Sequence, residues 1–376
     1  MLFISAKERI KGLQQRVSRL RRPSFKDMKK VRSWQELNMP THDGSSWSIL
    51  RDSHLETPVT FSQVREAVKS WLPPNNLLIG QPGGKKFVTP IEIAELQNTA
   101  KGALYKHTRN VSLMFFPPAL IFLFSGLVSA SKNELLFGAL LMLIGAIFLI
   151  DYFVLSRSSE AIYQRSLFFF WLKSTPSAKW GLWFWLAVGM SIGGLQIASQ
   201  VILGGLGEIF SAFGLIYSRV EEGEVWRFMT GPYLHFSSIH FSLNLLLLII
   251  GGWLSWALIG PQNSVLVFMI GNLIAGYAQY AFGGRLFEIY GGISGGVYAL
   301  FGLLLVSWAF KNAILPRGLV VVMAGILCIG EMGNVLLIDS SATVAHMAGF
   351  CVGVVAAIII VSWEAAIKIK SIKDSD

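Results

Sequence analysis

The sequence predicts an all-α polytopic membrane protein, and three observations carry that prediction. The 376-residue chain is 53% hydrophobic and 14% charged, against roughly 25% charged in soluble domains. Apolar runs of about 20 residues, the length that spans a bilayer, recur from Val111 to Trp363. The basic residues behind the net charge of +10 crowd into 1–110, 157–179 and 366–373, beside those runs. Such placement fits positive-inside topology and contact with anionic lipid headgroups. Without a zinc-ligand spacing or a helix-turn-helix pattern, it argues against nucleic acid as a partner.

Residues 1–50 read as a polar basic tail. Met1 to Arg32 is mildly amphipathic, but Glu8 and Asp27 weaken a presequence reading, and no signal-peptide core precedes residue 110. Around 58–105 a small helical module is expected. Thr60 with Gln63 and Thr89 with Glu92 each form a capping-box pattern, the second with Pro90 at the first helical position. The region 1–110 is therefore expected to be cytosolic, basic and mostly helical. A transmembrane hairpin follows over 111–155, its spans Val111–Ala130 and Leu135–Leu155 separated by Ser131-Lys132-Asn133-Glu134, with Pro117-Pro118 expected to kink the first. The linker 156–179 contains the aromatic run Leu167–Leu172, too short to cross and expected at the interface.

Six more spans are predicted over 180–363: Trp180–Leu203, Ile239–Ile259, Val265–Phe282, Ile293–Phe310, Leu319–Ile338 and Ala342–Trp363. A basic tail, 364–376, closes the chain. Eight spans put every basic segment on one side, and the acidic loop carrying Glu208, Glu221, Glu222 and Glu224 on the other. Trp180, Trp183 and Trp185 are expected as interfacial anchors. Cys328 and Cys351 are expected as small core residues.

Polar residues inside spans are costly and mark function. Topology puts His240 and Asn244 in the outer turns of one span, one turn apart on one face. Ser294 falls at the outer start of another span and His346 one turn into the last. Four polar groups thus share one depth. A serine needs a base to take its proton, and histidine suits that role. An oxyanion needs preorganised donors: Asn244, His240 and the Ser294 N–H at a helix N-terminus are candidates. No aspartate is placed to orient His346; Tyr298, one turn after Ser294, can pack on the imidazole instead, which makes a dyad. Gly292 with Gly296, and Gly349 with Gly353, are spaced for close helix approach. Asn272, Gln279 and Asn334 are expected to hydrogen-bond between helices.

Together these residues resemble the rhomboid intramembrane serine proteases. The motifs are Gly292-Ile293-Ser294-Gly295, Ala345-His346 with Gly349 and Gly353, the pair His240 and Asn244, and Trp226-Arg227 in the long loop. The resemblance implies a six-helix core over about 178–363, with Ser294 as nucleophile, His346 as general base, and His240 and Asn244 with the Ser294 backbone as the oxyanion hole. It implies supporting roles for His235, Arg227, Trp226, Tyr298 and the glycines, no metal or organic cofactor, and single-pass transmembrane proteins as substrates. A bacterial inner membrane with both termini cytoplasmic is the expected setting. Gly231-Pro232 departs from the family pattern, where several bacterial members have a further histidine.

Two rivals from other classes are weighed. A catalytically silent rhomboid-like protein that binds membrane clients usually lacks the serine or the histidine. A transporter predicts a midplane charge or an inverted repeat, and neither is evident in the sequence. His235 and His240 as metal ligands lack a third partner.

Overall fold

The computed structural model describes residues 28, 42–51, 54–71, 77–156, 159–283, 288–310, 314–337 and 342–373. Of the expected N-terminal tail, 1–50, only residues 28 and 42–50 are among these.

The N-terminal unit differs from the mostly helical module expected. Strands β1 (Trp47–Arg51), β2 (His54–Val59), β3 (Leu77–Gly80) and β4 (Phe87–Val88) form an antiparallel sheet in the order β2-β1-β3-β4. Alternation explains β1: Ile49 packs with Val64, Val68 and Trp71 on one face, while Leu50 packs with Leu78 and Phe87 on the other. These strands are two to six residues long, too short to stand out as periodic segments.

Helix α1 (Phe61–Lys69) lies where the first capping box predicts it. The Gln63 N–H donates to Thr60 Oγ1 at 3.3 Å and the Thr60 N–H to Gln63 Oε1 at 2.7 Å. The Thr89–Glu92 box also forms, but it opens only a 3₁₀ turn, Pro90–Glu92, with a second turn over Ala94–Leu96. From there α2 (Gln97–Ser129) runs without interruption, through Pro117 and Pro118, into the first span. Its Ala100 and Leu104 belong to the core of the N-terminal unit.

Helices α2 and α3 (Lys132–Ser156) form the predicted hairpin, turned by Ala130 in the left-handed region. Their backbones come close: Ser112 Oγ donates to the Gly145 carbonyl at 2.6 Å. Helix α4 (Ser159–Ser174) carries the aromatic run expected at the interface, and one face of it packs on the bundle. Leu167, Phe168, Trp171 and Leu172 are buried in the main core cluster, because the helix turns that face toward the bundle. Arg165 on α4 binds both carboxylate oxygens of the buried Asp151 on α3 at 2.9 Å.

The bundle comprises α5 (Pro176–Leu203), α9 (Ser238–Ile259), α10 (Pro261–Phe282), α11 (Ser294–Ala309), α12 (Arg317–Leu337) and α13 (Thr343–Lys373). Between α5 and α9 the chain forms α6 (Leu206–Phe213), β5 (Leu215–Ile216), α7 (Tyr217–Glu221), α8 (Arg227–Thr230) and a 3₁₀ turn over Gly231–Tyr233. β5 pairs with β6 (Ile289–Tyr290), so the long loop is tied to the segment entering α11. Six described helices are long and apolar enough to cross a membrane, against eight predicted spans. The other two are α11, at 16 residues a short apolar helix, and α12. The chain is an integral multi-pass membrane protein.

Helix α11 is the central element, with 11 of its 16 residues buried; α9, α10 and α13 pack around it. Glycines set these approaches. A methyl group on Gly349 would strike the Gly295 carbonyl, and one on Gly353 the Ala299 carbonyl, so α11 and α13 touch backbone to backbone. Gly296, expected at that same seam, faces Phe268 and Asn272 of α10 instead. Helix α12 rests chiefly on α3 and joins the main core through Val320, Met323 and Leu327. Its Gly318, Gly325 and Gly333 meet Asp151, Ile147 and Leu140 of that helix.

Two further expectations are corrected. Trp180 and Trp183 are exposed, but Trp185 is buried in a slot opened by Gly252, against Phe268. Cys328 and Cys351 are free and exposed rather than in the core, because α12 leaves a gap beside α11 and α13 that both line.

The backbone contact between α11 and α13 yields a test. Gly353→Ala is expected to cost about 1–3 kcal/mol by overpacking, whereas Gly194→Ala on α5, where a methyl group meets nothing within 4 Å, is expected to be near neutral. Unfolding of both variants in detergent micelles measures the difference.

Candidate active site

Ser294 is the first residue of α11, so its N–H and those just after it have no intrahelical acceptor. One of them is met from α10: the Gly296 N–H donates to Asn272 Oδ1 at 2.9 Å. Gln279 Oε1 on the same helix accepts from the Ala345 N–H at 3.2 Å, at the start of α13. Helix α10 thus holds the beginnings of both α11 and α13, as the interhelical expectation for Asn272 and Gln279 required. The Asn334 side chain lies outside the described residues.

Across the seam, His346 Nε2 lies 2.8 Å from Ser294 Oγ, with both residues buried. The Tyr298 ring stacks on the imidazole, centroids 4.3 Å apart and planes at 5°. The second ring nitrogen, Nδ1, lies 2.6 Å from Glu331 Oε2 on α12. The Tyr298 hydroxyl donates to that oxygen at 3.3 Å. The expectation that His346 lacks a carboxylate partner is therefore corrected. Glu331 was legible in principle, because an acid in an apolar helix marks function by default. A search confined to aspartate near the histidine passes over it.

His240 and Asn244 approach from α9 on the opposite side. Gly292, at φ +118°, makes the turn into α11. A methyl group there would lie 2.8 Å from His240 Cε1 and 3.6 Å from Asn244 Nδ2. Glycine is thus required twice, for the backbone angle and for the space beside those rings and amides. The Asn244 amide is buried with no hydrogen-bond partner on Nδ2, an orphaned donor beside the serine loop. Such donors serve where negative charge develops.

The remaining predicted residues build the surrounding loop. Arg227 is buried and binds three segments: Nη1 donates to the Gly214 carbonyl at 2.7 Å, Nη2 to Ser211 at 3.0 Å and Nε to Glu224 at 2.6 Å. Its guanidinium lies 4.7 Å from the centroid of the Trp226 ring. Gly231, the departure from the family pattern, packs so tightly on Leu215 of β5 that no side chain fits. His235 packs on His240 and Phe241, its backbone clamped by Gln196 of α5 at 2.9 and 2.7 Å. Gln196 was not singled out in the sequence. Among the described residues no cluster of three or more His, Cys, Asp or Glu is arranged to hold a metal.

Fold and site together describe a polytopic membrane protein with a serine–histidine pair buried at one end of a helix bundle. Residues 222–363 match the rhomboid domain model, so this stretch of the chain is similar to the rhomboid family. The rhomboid protease GlpG of Serratia proteamaculans (strain 568) is 36% identical over 144 residues, 36% of this chain and 48% of that protein. The GlpG protease of Salmonella newport (strain SL254) is 32% identical over 146 residues, 38% of this chain and 51% of that protein. That of Enterobacter sp. (strain 638) is 36% identical over 86 residues, 23% and 30% of the two chains. The chain spans about half or less of the length of these relatives.

His235 provides a pH test. Burial first, and then the neighbouring His240, pull its imidazole down to about 3. The folded protein excludes a proton that the unfolded chain takes up below about 6.5. Stability is therefore full above that pH and falls as the pH drops toward about 3. Thermal unfolding across this window is expected to show a shallower acid loss in His235→Phe than in the wild type.

Proposed function

We propose that this chain is an intramembrane serine endopeptidase. The observation that supports it most is the 2.8 Å approach of Ser294 Oγ to His346 Nε2 from separate helices. In this reading His346 takes the hydroxyl proton as Ser294 Oγ attacks the scissile carbonyl carbon. The C–N bond then breaks, with the leaving amine accepting that proton from the imidazolium. Water, deprotonated by His346, attacks the acyl-serine ester; the C–Oγ bond breaks, the imidazolium returns its proton to Ser294 Oγ, and the carboxylate product leaves.

Asn244, His240 and the Ser294 N–H stabilise the oxyanion. The Ser294 N–H also lies at the start of α11, where the helix dipole favours negative charge. Tyr298 holds the imidazole plane by stacking. Trp226, Arg227 and His235 hold the loop that packs on α10. Gly295, Gly349 and Gly353 supply the close seam, and Gly292 the turn. No metal or organic cofactor takes part in the proposed steps.

The substrates proposed are single-pass transmembrane proteins, cut near the outer membrane face. The relatives are bacterial rhomboid proteases, which supports an inner-membrane setting with both termini cytoplasmic. The proposed organisation is a cytosolic region 1–110, a hairpin 111–155, a linker 156–179, a catalytic core 180–363 and a tail 364–376.

The test compares wild type and Ser294→Ala against a single-pass reporter in proteoliposomes. Wild type is expected to cleave it. Ser294→Ala and His346→Ala are expected to lose cleavage, by at least about 10³-fold on general precedent, and Ser294→Ala to lose fluorophosphonate labelling. Asn244→Ala is expected to lower kcat by about 10²–10³-fold. Cleavage equal in wild type and Ser294→Ala overturns the reading. Absence of both cleavage and labelling in the wild type favours a silent client-binding protein.

A further inference from the structure

The chain holds a third polar group against the serine–histidine pair, and it enters from α12, which packs chiefly on the hairpin and reaches the main core through Val320, Met323 and Leu327. Glu331 Oε2 is 2.6 Å from His346 Nδ1 on the side of the ring away from Ser294, whose Oγ is 2.8 Å from Nε2. Three side chains from α11, α12 and α13 therefore lie in one line. We propose that Glu331 is a positioning residue for His346, so that this enzyme works with a serine–histidine–glutamate triad; the proposal rests on the protease reading above.

The chemistry follows from the ring. A neutral imidazole carries one proton, and its hydrogen bonds decide which nitrogen holds it. A carboxylate facing Nδ1 accepts the N–H there, which leaves the Nε2 lone pair directed at the Ser294 hydroxyl. The opposite tautomer would set a lone pair against the carboxylate and leave Nε2 unable to take the serine proton. When Ser294 attacks, its proton passes to Nε2 and the ring becomes an imidazolium. The Glu331 carboxylate stabilises that charge through the existing N–H bond and takes no proton itself. Tyr298 supports both partners, stacking on the ring and donating to the same carboxylate oxygen at 3.3 Å.

Placement argues against a mere helix tie. An ionised side chain within a membrane helix carries a desolvation cost of several kcal/mol. Between α12 and α13 an apolar contact would join the helices without that cost. Helix α12 is braced elsewhere, on α3, through Gly318, Gly325 and Gly333. At 100° per residue Glu331 lies on the face turned away from these glycines. The helix thus leans on the hairpin with one face and presents its acid to His346 with the other. Beside this contact is a cavity of about 310 Å³, lined by Tyr298, Leu327, Glu331, His346, Met347 and Phe350 among others.

The experiment uses the full chain in proteoliposomes. Glu331→Gln keeps the size but removes the charge; Glu331→Asp keeps the charge. Glu331→Gln is expected to lower kcat by about tenfold or more with KM unchanged, and to slow fluorophosphonate labelling of Ser294 by a similar factor. Glu331→Asp is expected to recover much of both rates. Thermal unfolding checks that each variant is folded. Labelling and cleavage of Glu331→Gln at wild-type rates overturns the proposal and leaves the protease reading intact. So does a loss seen only in KM or only in unfolding temperature, or one that Glu331→Asp shares in full. Failure of the wild type to label at Ser294 instead removes the protease reading.

Discussion

The contact on which the rest depends is the one between the backbones of α11 and α13. Gly349 lies on the Gly295 carbonyl and Gly353 on that of Ala299. In lipid, burial of apolar side chains adds little to helix association, since the solvent is itself apolar; close packing and polar contacts carry it. Two helices without intervening side chains approach more closely than leucine-lined ones. The hydroxyl on the first turn of one then reaches the imidazole one turn into the other. Asn272 and Gln279 of α10 fix the axial register, each accepting an N–H from the start of one of the two helices.

Around this seam the chain arranges polar groups that would otherwise be costly in a membrane. Most have partners: Ser112, Ser255 and Ser264 bond to carbonyls or to each other, and Asp151 is matched by Arg165. Among the described residues the exceptions are divided: both His235 ring nitrogens, the Asn244 amide and the second Glu331 oxygen are buried without partners near the serine, and so are the Trp185 and Trp253 indole N–H groups and the Ser307 hydroxyl elsewhere in the bundle. A folded protein seldom leaves such groups orphaned.

Much of the bundle was legible in the sequence, because the membrane imposes one simple rule on length and hydropathy. The two apolar runs of the hairpin followed from hydropathy, although the turn expected over Ser131–Glu134 is tighter, with α3 already starting at Lys132. Less legible was whatever depended on contacts between distant segments. The aromatic face of α4 is buried because of what packs against it, which no local pattern encodes. Trp185 looks like its exposed neighbours Trp180 and Trp183 until Gly252 is seen to make room for it. The strand runs of the N-terminal unit are too brief to carry a period, and the Thr89 capping signal, although satisfied, opens only a single turn. Glu331 is separated from His346 by a whole loop, so only the folded chain brings them together.

The long loop between α5 and α9 is held by Arg227, whose guanidinium reaches Ser211, Gly214 and Glu224. One planar cation thereby ties the end of α6 to the start of α8, beside the small apolar clusters that Leu215, Tyr217 and Val220, and Ile209, Phe210 and Leu234, form in the same loop. Its shape rests on charge-assisted bonds to carbonyl oxygens, which withstand detergent better than greasy contacts do. A solubilising agent that strips lipid from the bundle is therefore expected to leave this loop in shape even where the outer helices loosen.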